Sequence, residues 1–357
     1  MAILKTYVFQ AHNNIYKKAQ QSDDTAREVR VEAAVPDGGT NEETGILFFI
    51  SGYGATVDSH VFQKMRKEFC DQYNVITVQC DYFGSKYLKP ELQEKLKISF
   101  FKGELPEPKK PGQGYKNEIS ETEDEFNDMG IMQALDHVSS LLCLIEELRA
   151  NDIIFNTKKI ILFGSSHGGY LSYLVNAICP GLVSCIIDIS SYLIPYYIEN
   201  NRLYRDPELD VKVGVEYFIK THPAYRYHEK LYDLRFLYQS MENTCKIIAF
   251  QGTEDWMVDA QEKARFISQV QNAELMMIGA EDVDGVLCKS ANHGLDMDFF
   301  VLFQMMMPLI SKLLRQKSST IELQNTVFLG GGAGRDGEPY IRLSYETGLP
   351  QLIDISK

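Results

Sequence analysis

The sequence has few of the residues that keep a chain unfolded or carry it across a membrane. Of its 357 residues only 12 are Pro and 25 are Gly, whereas 45% are hydrophobic, and this composition can bury a substantial core. The most apolar late stretch, residues 299–314, is interrupted by Gln304, Pro308, Ser311 and Lys312. It falls short of the ~20 apolar residues that a membrane-spanning helix needs. We therefore expect a globular protein with no membrane span, in which this stretch forms a core helix.

Basic residues are also in the minority. Lys and Arg number 36 against 49 Asp and Glu, so the net charge is -13. A chain of this charge repels the phosphates of nucleic acid, and we therefore expect no nucleic acid partner. The seven Cys include no Cys-x-x-Cys pair, and Cys288 with His293 lacks a second pair of zinc ligands. Because residues 1–20 contain no apolar export segment, we expect reduced thiols and a cytoplasmic location.

Strand-like runs alternate with helical segments along the chain. Residues Ile46–Ile50 are all apolar, which is typical of a strand covered on both faces. Further buried strands are predicted at 75–78, 159–163, 183–189, 246–250 and 274–278, and half-exposed edge strands at 6–10 and 28–35. An apolar stripe predicts a helix that packs on the sheet, with Ile131, Leu135, Val138, Leu142, Ile145 and Leu148. The alternation predicts an α/β fold with a mostly parallel central sheet flanked by helices.

Two segments interrupt this alternation. Residues 84–125 contain four Pro and many charges and are predicted to form a long surface loop, whereas residues 191–243 form an insertion with nine of the 20 Tyr. The length allows two domains or one large domain with insertions. We divide the chain into N-terminal edge strands at 1–43, a first core part at 44–190, a lid or cap insertion at 191–243, a second core part at 244–316 and a short C-terminal β extension at 317–357. Within the extension, the glycine-rich residues 330–337 precede a strand-like run and are predicted to form a hairpin loop.

The most specific motif is a Gly-x-Ser-x-Gly sequence at residues 164–168. It lies between a buried strand and an apolar helical pattern, which is the context of a nucleophile elbow. A serine on such a tight strand-to-helix turn has a strained backbone, and larger side chains at Gly164 and Gly168 would collide with it. The motif therefore predicts Ser166 as a nucleophile.

A serine nucleophile needs a base, and the base needs an acid to orient it; in an elbow enzyme they follow the serine in the order acid, then His. Asp255 follows a buried strand and is predicted as the acid, since its neighbour Glu254 would point elsewhere and Asp259 would cap the next helix. Among the seven His, only His293 comes after Asp255, so it is predicted as the base.

Acyl transfer also needs donors for an oxyanion. One is predicted to be the backbone N–H of His167, at the start of the elbow helix. The other is predicted to be the N–H of Tyr53, in the loop Ser51-Gly52-Tyr53-Gly54 after the first central strand. A plain glycine turn is the alternative interpretation of this loop.

With these motifs the chain resembles the α/β-hydrolase superfamily over about residues 44–316, and is most similar to its prolyl-oligopeptidase and acyl-peptidase-like serine hydrolase branch. The elbow is followed by a second glycine, Gly169, and Asp81-Tyr82-Phe83-Gly84 resembles the Asp-Tyr-Arg-Gly turn of that branch. The chain departs from the pattern in Ser51, where a His is common, in His167, where an aromatic residue is usual, and in lacking an N-terminal propeller. The resemblance implies an uncharacterised bacterial family within the superfamily.

The expected function is that of a serine hydrolase, resembling an esterase or deacylase, which attacks a carboxylic ester or amide through an acyl-enzyme without a metal or an organic cofactor. The substrate would be a small molecule or an acylated sugar or peptide. An acyltransferase to a sugar or other alcohol would use the same residues, and a catalytically silent scaffold is a third possibility. In the insertion, Tyr196, Tyr197, Tyr225 and Tyr227 are candidates for substrate contact as part of a lid; alternatively, the aromatic residues anchor the insertion to the core.

Overall fold

An eight-stranded sheet forms the centre of the protein. The computed structural model describes residues 2–11, 14–16, 27–88, 97–102, 121–122, 124–206, 211–215, 217–221, 229–239, 241–321, 323, 326–329, 339–344 and 351–355. The strands in chain order are β1 (Ile3–Gln10), β2 (Glu28–Val35), β3 (Gly45–Ile50), β4 (Val75–Cys80), β5 (Lys97–Lys102), β6 (Ile160–Ser165), β7 (Cys185–Ile189), β8 (Asn200–Asp206), β9 (Val211–Val215), β10 (Lys246–Gly252), β11 (Ala273–Ile278), β12 (Thr326–Leu329), β13 (Pro339–Ser344) and β14 (Gln351–Ile355).

Helices connect most strands of the large sheet. The α-helices are α1 (His60–Tyr73), α2 (Ile131–Ala150), α3 (His167–Ile178), α4 (Tyr196–Glu199), α5 (Phe218–Thr221), α6 (Leu234–Gln239), α7 (Ala260–Gln269) and α8 (Phe299–Leu313). Short 3-10 helices occur at Ser85–Leu88, Glu229–Tyr232 and Ala280–Asp282.

The large sheet has the strand order β1-β2-β4-β3-β6-β7-β10-β11. The first two pairs, β1 with β2 and β2 with β4, are antiparallel, and all the other neighbours are parallel. This order confirms the predicted mostly parallel α/β sheet. Of the two predicted edge strands, β1 lies at the edge, whereas β2 pairs on both sides, with β1 and β4, and is an inner strand.

The central strands are apolar on both faces because each face is covered by helices. Successive side chains of a strand point to opposite faces, so the five apolar residues of β3 divide between two cores. Ile46, Phe48 and Ile50 pack with residues of α2 and α3, whereas Leu47 and Phe49 pack with residues of α1 and α8. A central strand of this sheet is buried on both faces, and it therefore requires an uninterrupted run of apolar residues.

The prediction of a long surface loop at 84–125 is wrong for part of that segment. Strand β5 lies within it and pairs antiparallel with β8 of the insertion, and β8 pairs antiparallel with β9. The two segments that interrupt the α/β alternation thus share a three-stranded sheet, β5-β8-β9. The partner of β5 lies about a hundred residues away in the chain, so a local pattern of Pro and charge gave no sign of the pairing.

The sequence of the C-terminal extension predicts two strands, at 320–329 and 340–345, and the structure contains a third. Strands β12, β13 and β14 form a separate antiparallel sheet in that order, and β14 was not predicted. Residues 330–337, predicted as a hairpin loop, lie outside the described residues, and the strands before and after them pair antiparallel.

The parallel strands place the candidate site residues at one edge of the large sheet. The carboxyl ends of β3, β6 and β10 lie at this edge, because the strands run in the same direction. The segments that follow them carry the loop at residues 51–54, Ser166 and Asp255, respectively. In sheets of this kind the carboxyl edge is where ligands bind.

Candidate active site

Ser166 lies on a strained turn between β6 and α3. Its backbone has φ 56° and ψ -118°, in a region that residues other than Gly rarely adopt. The turn is packed so closely that a Cβ on Gly164 would lie 2.2 Å from the carbonyl carbon of Gly168, and a Cβ on Gly168 would lie 2.1 Å from the carbonyl oxygen of Ile50. Both positions of the motif therefore require glycine.

A continuous line of hydrogen bonds connects three of the predicted site residues. The Ser166 hydroxyl lies 2.8 Å from Nε2 of His293. Nδ1 of the same ring lies 2.9 and 3.1 Å from the two carboxylate oxygens of Asp255. With Nδ1–H donating to the carboxylate, Nε2 carries the lone pair that accepts from the serine. The structure thus brings together Ser166, His293 and Asp255 from three distant parts of the chain.

The carboxylate of Asp255 is buried and held in place by further donors. Its side chain is 0% exposed, and it accepts from Gln251 Nε2 at 2.8 Å and from the backbone N–H groups of Met257 and Val258 at 2.9 and 3.1 Å. The neighbouring Glu254 is exposed. Asp259 caps α7, because its side chain accepts from the N–H groups of the first helical turn. Each of the three acidic residues thus has a distinct position, and Asp255 is the one that contacts His293.

The loop after β3 lies directly beside the serine. A Cβ on Gly52 would be 2.7 Å from the carbonyl oxygen of Ser165 and 3.9 Å from Cβ of Ser166. Tyr53, the next residue, is therefore carried close to the elbow, and its hydroxyl is hydrogen-bonded to that of Tyr217. At the other side, His167 begins α3, so its N–H belongs to the group of N–H dipoles at the helix N-terminus.

The side chain of His167 points into the protein. It is fully buried, with Nδ1 hydrogen-bonded to the hydroxyl of Tyr192 and Nε2 lying 2.6 Å from Oε1 of Gln133. The amide nitrogen of Gln133 donates to the side chain of Asn127, so Oε1 is the acceptor for an Nε2–H group, and Nδ1 accepts from Tyr192. Both ring nitrogens are thus used in the core, and the only part of this residue suited to the site is its backbone.

The tyrosines of the insertion fall into two groups. Tyr196 and Tyr197 lie on the side of the site, since the Tyr197 ring is 4.3 Å from the Tyr53 ring and the Tyr196 ring is 6.0 Å from that of Trp256. Tyr238 instead anchors the insertion, because its hydroxyl donates to the carbonyl of Tyr173 at 3.1 Å. The candidates Tyr225 and Tyr227 lie outside the described residues.

A buried ion pair lies behind the site. Nζ of Lys263, on α7, is 2.7 Å from Oδ2 of Asp188, near the end of β7, and both side chains are 0% exposed. Lys263 also donates to the carbonyl of Ser191 at 3.0 Å, and a Cβ on Gly169 would lie 2.5 Å from Oδ1 of Asp188. Burial lowers the pKa of Lys263, and Asp188 opposes this effect. The pair ties the helix after the acid to the strand beside the elbow.

Three contributors to the site were not predicted from the sequence. They are Trp256 beside His293, Gln251 bound to the acid, and the pair of Lys263 with Asp188. The sequence could have indicated Trp256 as a site residue, because it directly follows the predicted acid, Asp255. Nothing local indicates that Lys263 is buried, because Lys is almost always exposed in other proteins.

Comparison with known proteins assigns the chain to a family. The model of the family described as "Protein of unknown function (DUF2920)" matches residues 108–333, which include Ser166, Asp255 and His293. The chain belongs to this family. No curated protein matches this DUF2920 member.

Solved structures are similar to this chain at low sequence identity. A putative dipeptidyl aminopeptidase IV from Bacteroides ovatus matches with a TM-score of 0.51 and 12% identity, over 87% of this chain and 36% of that one. A fungal esterase from Rhizomucor miehei matches with a TM-score of 0.49 and 15% identity, over 88% and 83% of the two chains. Est1E from Butyrivibrio proteoclasticus, solved with ferulic acid, matches with a TM-score of 0.43 and 13% identity, over 80% and 94%.

The fold of this DUF2920 protein is that of an α/β-hydrolase, as the resemblance implied. Among the described residues, no helix has the length and apolarity needed to cross a bilayer.

Proposed function

We propose that this protein is a serine hydrolase that cleaves a carboxylic ester or amide through an acyl-enzyme. The observation that carries the proposal is the unbroken hydrogen-bond line from Ser166 through His293 to the buried Asp255, starting at a serine with φ 56°. A hydroxyl, an imidazole and a carboxylate in this sequence of contacts form an activated nucleophile. The narrower resemblance to the prolyl-oligopeptidase branch stays a prediction.

The roles follow from the geometry. Ser166 Oγ bonds to the acyl carbon while its proton passes to Nε2 of His293, and the carbonyl oxygen becomes an oxyanion. When the intermediate collapses, the bond from the acyl carbon to the leaving oxygen or nitrogen breaks, and His293 returns the proton to that atom. Water then attacks the acyl-enzyme by the same route and releases the acid. Asp255 holds the Nδ1–H tautomer and stabilises the imidazolium that forms in each half.

The oxyanion would be bound by two backbone groups, the N–H of Tyr53 and the N–H of His167. The packing of Gly52 against the elbow supports the first, and the place of His167 at the start of α3 supports the second. In comparable sites, removal of one such rigidly held donor reduces the stabilisation of the transition state by about 3–4 kcal/mol.

The insertion at residues 191–243 is proposed as a lid over this edge of the sheet. Its Tyr217 hydroxyl contacts Tyr53, and Tyr196 and Tyr197 lie beside the site. Other tyrosines of the insertion, such as Tyr238, have the anchoring role that was the alternative interpretation. We retain the predicted division of the chain into core parts, lid and C-terminal β extension as part of this proposal.

The proposal is tested by covalent labelling. A fluorophosphonate probe should label the wild type and fail to label Ser166→Ala, because the probe reports an activated serine. Ser165→Ala is the matched control: it removes the adjacent hydroxyl of the same elbow and should retain labelling. A wild type that is never labelled, or a Ser166→Ala variant labelled equally well, would contradict the mechanism.

Turnover separates the three expected classes. Both an esterase and a transferase should release p-nitrophenol from p-nitrophenyl acetate. When a sugar or other alcohol is added as acceptor, an esterase should still give acetate, whereas a transferase should give the acetylated acceptor. Absence of turnover and of labelling would leave only the silent scaffold. Both active classes share the residues named above, since an acyl-enzyme can be resolved by water or by an alcohol.

A further inference from the structure

Trp256 occupies an unusual position for a large aromatic side chain. It is 56% exposed, and its ring centroid lies 6.3 Å from that of His293. It is also the only Trp among the 357 residues. An exposed indole contributes little to the core, because apolar area stabilises the fold only when it is removed from water. Its position beside the proposed base therefore points to a role in the site.

Trp256 continues an aromatic surface that comes from the insertion. The Tyr196 ring meets Trp256 edge-on, with centroids 6.0 Å apart and an interplanar angle of 88°. Tyr196 is in turn 5.9 Å from Tyr197, whose ring contacts Tyr53 above the elbow. Tyr197 is only 3% exposed, so it supports Tyr196 from below, and the part of this aromatic cluster that a ligand can reach is Trp256 with Tyr196, beside His293.

The proton transfers of the proposed mechanism determine which part of a substrate reaches this surface. Nε2 of His293 must lie close to the leaving oxygen in order to return the proton to it. The substituent on that oxygen therefore extends past the imidazole of His293. The Trp256 ring packs against this imidazole. The acyl group lies on the far side of the reacting carbon, away from the leaving oxygen.

The charge around Trp256 restricts what this substituent can carry. Glu254 and Asp259, which flank it within three residues, are both exposed, and the whole chain has a net charge of -13. Carboxylates near a binding surface disfavour an anionic ligand, and an indole face attracts flat apolar rings or cations. The indole face and the carboxylates together favour an uncharged ring over a uronate or phosphate.

We propose that Trp256 and Tyr196 bind a ring of the leaving alcohol that carries no negative charge, either an aromatic ring or the apolar face of a sugar. This assignment rests on the proposed serine hydrolase function and names the side of the substrate that the enzyme selects. Trp256 is then a specificity-determining residue that contacts the leaving group and takes no part in proton transfer.

The test compares acetate esters that share one acyl-enzyme. Ethyl acetate and benzyl acetate give the same acetyl-enzyme, and their intrinsic reactivities are the same for every variant, so a change in the ratio of their kcat/KM values between variants reports how the leaving alcohol is recognised. Trp256→Ala should lower kcat/KM for benzyl acetate about five- to tenfold and leave ethyl acetate within about twofold, as expected for the loss of one ring contact. Trp256→Phe, which keeps a ring, should retain most of the preference.

A matched control uses another exposed apolar residue. Ile154 is 55% exposed and precedes β6, at the opposite edge of the sheet. Ile154→Ala should leave the benzyl to ethyl ratio unchanged. A methyl 6-O-acetylglucoside identifies the source of the ring: an equal loss in Trp256→Ala indicates a sugar face, and a loss confined to benzyl acetate indicates an aromatic ring.

Charge and binding provide two further readouts. 4-Carboxybenzyl acetate should be a poorer substrate than benzyl acetate, and Glu254→Gln should reduce that difference. In Ser166→Ala, benzyl alcohol should change the tryptophan emission in a saturable way, and since the chain has one Trp the signal comes from Trp256.

The outcomes separate this inference from the function on which it rests. An unchanged benzyl to ethyl ratio in a Trp256→Ala enzyme that still hydrolyses esters overturns the leaving-group assignment alone. A tryptophan emission that does not respond to benzyl alcohol counts against it in the same way. A wild type with neither labelling nor ester hydrolysis removes the proposed function and this assignment with it.

Discussion

At the scale of single residues, the elbow depends on the absence of side chains. Ser166 is held at φ 56°, which costs of order 1–3 kcal/mol for a residue other than glycine. The surrounding backbone must therefore hold the turn firmly. It does so by direct contact, since the chain at Gly164 touches the backbone of Gly168, and Gly168 touches that of Ile50.

This packing predicts a large difference between two glycine substitutions. Gly164→Ala places a Cβ 2.2 Å from backbone atoms of Gly168, whereas a Cβ on Gly38 has nothing within 4 Å. We expect Gly164→Ala to lower the free energy of unfolding by about 2–3 kcal/mol or more, and Gly38→Ala to change it by less than about 0.5 kcal/mol. Urea denaturation followed by circular dichroism measures both, and equal effects would contradict the packing described here.

The proposed acid and base show how much local residue patterns can predict. The order Ser166, Asp255, His293 could be predicted because Ser166 and Asp255 each follow a recognisable buried strand, and His293 is the only His after Asp255. The choice of Asp255 over Glu254 depends on the direction of two adjacent side chains, which the sequence supports only by argument and the structure shows by contact.

At the scale of elements, the start of α2 contains two buried groups with opposite pH behaviour. Asp128, just before the helix, has its pKa raised to about 6 by burial, against the hydrogen bonds from Met132, Tyr16 and Gly130. His137, in the second turn of the helix, has its pKa lowered to about 4 by burial. Each displacement corresponds to roughly 3 kcal/mol between the two protonation states.

The signs of the two effects are opposite between pH 4 and 6. The folded protein holds a proton on Asp128 that the unfolded chain has released, so this carboxyl stabilises the fold at low pH and the effect is lost as the pH rises through about 6. The unfolded chain holds a proton on His137 that the folded protein lacks, so this imidazole destabilises the fold as the pH falls toward 4. In the wild type the two contributions largely cancel.

In Asp128→Asn, the effect of His137 on the free energy of unfolding should no longer be cancelled by residue 128. We expect the free energy of unfolding of this variant to rise more steeply with pH around pH 5 than that of the wild type, by about 1 kcal/mol per pH unit. Asn keeps an oxygen acceptor for Tyr16, so the comparison changes mainly the charge. Urea titrations at several pH values measure the slopes, and equal slopes would show that Asp128 does not titrate in this range.

At the scale of the whole molecule, the C-terminal extension is attached through its first residues. The carbonyl of Gln316 accepts from Asn156 at 2.9 Å, and that of Ser319 accepts from the Thr157 hydroxyl. Ile321 and Leu323 pack against the main core. Strands β12–β14, further on, pair with one another in a sheet of their own.

Removal of residues 324–357 should therefore leave the site intact. We expect the shortened protein to keep fluorophosphonate labelling of Ser166 and to melt within a few degrees of the full chain, because the attachment through residues 316–323 is retained. A truncation ending at residue 315 is the comparison, since it also removes Ile321 and Leu323 and should melt lower. Loss of labelling in the protein that ends at residue 323 would place the C-terminal sheet among the supports of the site.

The sequence by itself determined the α/β class, the central strands and the elbow, because each depends on residues close together in the chain. It also indicated Ser166, Asp255 and His293, from two strand-to-turn motifs and the only His that follows them. Only the tertiary structure decided which distant groups meet. The pairing of β5 with β8, the burial of Lys263 against Asp188 and the packing of Trp256 beside His293 join segments between 37 and about a hundred residues apart. Such contacts arise when the strands align and bury their faces together, and no local pattern of hydrophobicity or charge encodes them.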